Sequence, residues 1–349
     1  MPTEMVAFAV ALVASFTLIP PVRYLALRVG MVDRPDPRKV HLTPVPLLGG
    51  LAIYTGVVLA TIFFMGSQAR AQTVGILAGA TLLAVVGILD DRGLLHHQIK
   101  LMVAMPVAAV ILLASGIRAQ LFSAYLPGSI GLALDGCLTV LWVVGVTASF
   151  SILDHMDGLC AGVAAVASSF FAVFAIRSGQ SMVGILAAAI LGASVGFLRW
   201  NFNPAKIFMG DAGAMFLGFF MATLSLKLRF GESSHFIPGL IAVLILGVPL
   251  FDTGLVIISR ARRGLLPFAS PGKDHTAHRL ANWGLGQRGA VLALYGLGGL
   301  SGGLAFLVSR IPPGHSYALA TVVVLVALLA VVILEHAPYE RQEKPEKSS

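Results

Sequence analysis

The chain has 349 residues, of which 57% are hydrophobic and 11% charged, and its mean hydropathy is +0.88; a soluble globular domain is excluded, and lipid is the expected solvent for most of it. The formal net charge of +8 comes without a basic motif interleaved with aromatics, so nucleic acid is not an expected partner. In a membrane protein such an excess reports where the lysines and arginines sit.

Apolar runs long enough to cross ~30 Å of hydrocarbon lie at 4–27, 47–66, 72–90, 100–115, 134–152, 159–177, 181–198, 212–226, 237–258, 290–308 and 316–335, about eleven in all. Lipid offers open backbone groups no partner, and no barrel-like alternation is present, so every run is read as a helix. The expected fold is therefore all-α, a polytopic membrane protein whose residues 1–337 form a single transmembrane unit, with 338–349 a polar, disordered tail. No small-residue cleavage site follows the first run, which is read as a retained span. Cys137 and Cys160 fall on or beside apolar runs, without metal-ligand spacing, and a structural or bystander role is expected of them rather than a disulfide or redox pair.

Placing the N-terminus outside puts 28–46, 90–100, 199–211, 259–289 and the tail in the cytoplasm, with a tight turn at 153–158. These segments hold roughly 17 of the 24 basic residues, as the positive-inside bias requires, and the expected location is a bacterial inner membrane. The same assignment gathers Asp33, Asp36, Asp90, Asp91, Asp154, Asp157, Asp211, Asp252 and Asp274 on or near the inner side and leaves Asp135 outside. Helix ends meeting water tolerate charge, which accounts for any single one of them. Short, stiff Asp side chains used without Glu in the inner loops point further, to a divalent cation and phosphate.

The inner segments carry distinct motifs. A basic stretch that includes Arg38, Lys39 and His41 precedes Pro46 and Gly49-Gly50. Asp90-Asp91 ends an apolar run, where two anions oppose the helix dipole and call for a cation. Asp154-His155-Met156-Asp157-Gly158 sets two carboxylates three residues apart, suited to an ion, to a substrate, or to capping of the next helix by Asp157. Asn201 to Gly213 (NFNPAKIFMGDAG) combines Asn, Pro and Lys206 ahead of Asp211, with glycines that admit a phosphate close to a helix start. Arg260, Arg262, Arg263 and Lys273 lead into Asp274-His275-Thr276-Ala277-His278-Arg279, where neutral imidazoles stand beside charge without structural-zinc spacing.

In this order, from about Asp33 to Arg279, the motifs resemble those of the polyprenyl-phosphate N-acetylhexosamine-1-phosphate transferases. The resemblance implies ten or eleven helices, with Mg²⁺ as cofactor (Mn²⁺ being an acceptable substitute). It implies transfer of a sugar-1-phosphate from a UDP-sugar to undecaprenyl phosphate, with release of UMP, as the first membrane step of an envelope polysaccharide. It casts Asp211 and Asp91 as metal ligands, Asp90 and Asp91 as the catalytic pair, and His275 and His278 as pyrophosphate-side histidines. Asp154, Asp157, Asn201, Lys206, Phe208, Lys273 and Arg279 become substrate contacts, together with Arg38, Lys39 and His41. The chain departs from the family pattern at Ser151, where Asn is usual, at His155, where the turn has Gly, at Ala277 in place of a histidine, and in having Asp274 directly before His275. The Arg38-Lys39-x-His41 and Asp-His-x-x-His-Arg patterns favour the N-acetylglucosamine branch over the phospho-muramyl-pentapeptide branch. An ion-coupled transporter is the candidate from another class, hinted at by Pro249 and Asp252. A homodimer is compatible with all of these.

Overall fold

The computed structural model describes residues 2–33, 44–64, 70–95, 97–229, 236–266 and 272–338. Fourteen helices follow one another among these residues: α1 (Thr3–Arg28), α2 (Gly49–Phe64), α3 (Arg70–Asp91), α4 (His97–Ile99), α5 (Met105–Ala114), α6 (Ser129–Leu153), α7 (Leu159–Arg177), α8 (Ser181–Asn201), α9 (Gly210–Lys227), α10 (Phe236–Ile245), α11 (Gly247–Arg262), α12 (Thr276–Leu280), α13 (Gly286–Val308) and α14 (Pro313–Glu335). One two-residue ribbon interrupts the helices: β1 (Val32–Asp33) pairs antiparallel with β2 (Val45–Pro46) in the register Val32 to Pro46 and Asp33 to Val45. The protein is thus all-α and polytopic, with seven helical stretches long and apolar enough to span a bilayer among the described residues, or eight with the bent α10–α11 pair.

The 237–258 run, expected as one span, is two helices bent by 78°. The cause is local: Pro249 has no N–H to offer the carbonyl of Ile245, and Leu246 leaves the helical region at φ −93°, ψ 19°. Helix α9 is the centre of the bundle, buried from Ala212 through Ser225 and packed against α2, α3 and α6. Without a hydrophobic drive between helices in lipid, close packing needs small residues. Gly192 and Gly196 supply it on α8, where an added Cβ would stand 2.1 Å from the Phe8 carbonyl oxygen and 2.5 Å from that of Leu12 on α1. By contrast α14 leaves most of its Val and Leu side chains exposed, as a lipid-facing helix should.

At the end of the bundle away from the aspartates, the buried Asp135 carboxylate accepts the backbone N–H groups of Leu121 (3.0 Å), Phe122 (2.7 Å) and Ser123 (3.1 Å). That single side chain orders a stretch to which the sequence gives no role.

Candidate active site

Three segments bring carboxylates together, the end of α3, the turn after α6 and the start of α9, and Lys100 reaches in from the turn before α5. Asp91 accepts the backbone N–H of Asp211 at 2.9 Å and of Ala212 at 3.3 Å, so one helix caps the positive end of another. The fit requires glycine: Gly210 has φ +70°, and a Cβ there would lie 2.4 Å from an Asp91 oxygen. A Cβ on Gly87 would come within 2.4 Å of Ala212 Cα, so α3 rests directly on the start of α9.

Asp211, held in this way, receives the Ser151 hydroxyl on Oδ1 at 2.5 Å and the Lys100 ammonium on Oδ2 at 2.5 Å. Lys100 also meets Asp90 at 2.9 Å. Among the described residues the Asp154 carboxylate has no hydrogen-bond or ion-pair partner, and burial together with the charges of Asp211, Asp91 and Asp157 pushes its pKa up to about 8. Among the described residues four carboxylates meet here and Lys100 pairs with two of them, Asp90 and Asp211, a charge imbalance that a divalent cation fits. Oxygen donors on short side chains suit a hard ion such as Mg²⁺.

The Asn201–Gly213 stretch is a braced loop. Buried Asn201 accepts the Gly158 N–H and donates to the Ile207 carbonyl, both at 3.0 Å. Asp157 accepts the Asn203 amide and the Ala205 N–H, each at 3.0 Å, while Arg288 donates to the Asn203 carbonyl at 3.0 Å. The Phe208 N–H bonds the Pro46 carbonyl, and the Gly49 and Gly50 N–H groups bond Phe208 and Met209, each at 2.9 Å, which docks β2 beside the site. Lys206 is exposed, its ammonium 5.7 Å from the centre of the Trp200 ring.

On the histidine side, Asp274 is clamped by Arg260 (3.0 and 2.9 Å) and Arg263 (2.5 Å). Burial would raise its pKa, but these cations hold it well below the usual carboxylate range. Arg279 is fully buried and engaged by Ser259, the Asp274 and Leu334 carbonyls, and Glu335, so it ties α12 to the end of α14. Asp252 receives His275 Nδ1 at 2.9 Å and the Thr276 N–H at 2.7 Å. The His155 ring stacks on His275 at 4.0 Å and lies 4.9 Å from His278. Lys273 is partly exposed at the edge of this cluster.

The structure thus brings Asp90, Asp91, Asp154 and Asp211 into one cage, with Asp157 and Asn201 bracing the loop beneath it and His275 and His278 beside the Asp154 turn. Arg38, Lys39 and His41 lie outside the described residues. Sequence reading missed Lys100 and gave Asp252 no place in the site. In the structure Lys100 opens a π-helical turn, Lys100–Ala104, of the kind that often marks function.

Fold and site together define a membrane-embedded enzyme class that handles phosphate at the end of a helix bundle. The sequence profile of glycosyl transferase family 4 matches residues 73–229. A probable undecaprenyl-phosphate N-acetylglucosaminyl 1-phosphate transferase of Bacillus subtilis is 38% identical over 295 residues, covering 84% of this chain and 81% of the relative. The decaprenyl-phosphate N-acetylglucosaminephosphotransferase of Mycobacterium tuberculosis is 35% identical over 309 residues, 79% of this chain and 75% of its own. An undecaprenyl-phosphate alpha-N-acetylglucosaminyl 1-phosphate transferase of Yersinia pestis is 30% identical over 278 residues, 78% and 75% of the two chains. The chain belongs to glycosyl transferase family 4.

Proposed function

We propose that this chain transfers N-acetylglucosamine 1-phosphate from UDP-N-acetylglucosamine to undecaprenyl phosphate at the cytoplasmic face of the bacterial inner membrane, releasing UMP. The observation that carries this reading is the convergence of Asp90, Asp91, Asp154 and Asp211, with Lys100 paired to Asp90 and Asp211 and, among the described residues, no hydrogen-bond or ion-pair partner for Asp154. The names of the relatives above support the sugar and the lipid acceptor.

In the reaction an oxygen of the lipid phosphate forms a bond to the sugar-bearing phosphorus, and the bond from that phosphorus to the UMP oxygen breaks. A phosphomonoester with a second pKa of ~6 is already largely ionised, so little proton removal is asked of the protein. Its task is to gather anions in one place. Asp211 and Asp154 are the residues that would hold Mg²⁺, which when bound supplies positive charge to the diphosphate and the leaving phosphate. Asp91 fixes the start of α9 and with it Asp211, a positioning role. Lys100, which lies between Asp90 and Asp211, would be available to the transferred phosphate were a divalent cation held by those carboxylates. His275, oriented by Asp252, presents its other ring nitrogen as a neutral donor or acceptor toward the donor substrate.

The test is a panel of UDP-sugars offered to the purified protein with undecaprenyl phosphate and Mg²⁺. Lipid-linked N-acetylglucosamine phosphate should form in step with UMP, with UDP-N-acetylglucosamine the preferred donor. Absence of transfer from every UDP-sugar would overturn the reading.

A further inference from the structure

His155 stands where the family's turn has glycine, and its surroundings are those of a ligand without a partner. Its Nδ1 faces the Ile152 carbonyl at 3.0 Å, which places the proton there and leaves Nε2 with a free lone pair. That Nε2 is buried and, among the described residues, has no hydrogen-bond partner. Leaving such a group unpaired is costly, so its surroundings should supply something to meet it. Beside it are His275 and Asp252, and one donor atom from each of the three residues lies within 4.8 Å of the others. The three come from the turn after α6, from α11 and from the segment before α12, which is why no linear spacing revealed them.

We propose that His155, Asp252 and His275 form a second cation site, selective for a borderline transition ion such as Zn²⁺ and separate from the aspartate cage. Two imidazoles and one carboxylate are a donor set that Zn²⁺ accepts and Mg²⁺ avoids. The Nδ1 contact to the Ile152 carbonyl is the outer hydrogen bond that fixes a ligating histidine in its tautomer. Ligand bonds of about 2.0–2.1 Å bring donors to about 3.3 Å from one another, so the trio closes by rotating the His155 ring off its stack on His275. With the ion in place the 153–158 turn is pinned to the segment carrying His275, and the aspartate cage gains a fixed wall.

The test is equilibrium binding of Zn²⁺ to the purified full chain in detergent with Mg²⁺ in excess, read by competition with a chromophoric chelator. One equivalent should be retained by the wild type and by Asp211→Asn, while His155→Gly and His155→Gln should each bind about tenfold more weakly or worse. Co²⁺ should give the visible absorption of a low-coordinate nitrogen and oxygen site in the wild type and lose it in His155→Gln, which keeps polar bulk at the turn. Zn²⁺ affinity unchanged by both His155 substitutions, or lost in Asp211→Asn instead, would overturn the proposal.

Discussion

Asp154 is the least comfortable residue of the site, a carboxyl pushed up to about 8 by burial and by the charges of Asp211, Asp91 and Asp157. The linkage sign follows: between the ordinary carboxylate range and about 8, the folded protein holds a proton that the unfolded chain has released, so stability falls as pH rises across that window. With metal chelated, the melting temperature should decline from pH 5 to pH 8, and Asp154→Asn should flatten that decline. An unchanged slope in the variant would place the titrating group elsewhere. Lys100 serves as counter-cation to Asp90 and Asp211, and Lys100→Met should destabilise the metal-free protein while enlarging the melting shift produced by Mg²⁺. Equal Mg²⁺ shifts in the two proteins would show that the ammonium and the metal do not share ligands. Asp154 and Asp211 were legible in the sequence because their loops are short and carry little else. Lys100 and Asp252 were not, because each lies in an apolar run and acquires its partner only through the fold, with Lys100 separated from Asp211 by 111 positions.

At the scale of elements, small residues decide how near the helices come. Gly192 and Gly196 let α8 touch the backbone of α1, and there is no room for a methyl group at either. Gly192→Ala and Gly196→Ala should each cost about 1–3 kcal/mol through overpacking, measured as a lowered unfolding midpoint in mixed detergent. Little or no loss would mean that α1 shifts freely. Spans were readable because hydrocarbon demands long apolar helices, and the long helices fall on expected runs. Among the described residues, however, seven or eight rather than eleven are long enough to cross, α2 and the helix ending in α5 being shorter. The break between α10 and α11 was not read from them, since Pro249 within an apolar stretch is compatible with a gentle kink as well as with the 78° bend that forms. The β1–β2 ribbon was equally hidden, because two residues per strand carry no periodic signal.

For the molecule as a whole, the account requires one leaflet to own the entire site. An impermeant maleimide applied to intact cells should label Tyr125→Cys, on the exposed loop beyond α5, and should spare Leu266→Cys, exposed near the arginines of α11, in a background lacking Cys137 and Cys160. The reverse pattern would invert the orientation drawn from the distribution of basic residues. The order of the motifs along the chain indicated the family, whereas the sharing of labour within the site came only from geometry: Asp91 holds a helix start, Asp157 and Asn201 brace a loop, and Arg279 is sealed inside. The most direct measurement is Mg²⁺-dependent UMP release from UDP-N-acetylglucosamine in vesicles containing undecaprenyl phosphate, for the wild type and for Asp211→Asn. The wild type should turn over with Mg²⁺ and stop with chelator, and Asp211→Asn should lose about 10²–10³-fold in kcat. Full turnover by Asp211→Asn, or turnover indifferent to chelation, would contradict a carboxylate-held cation at the heart of this enzyme.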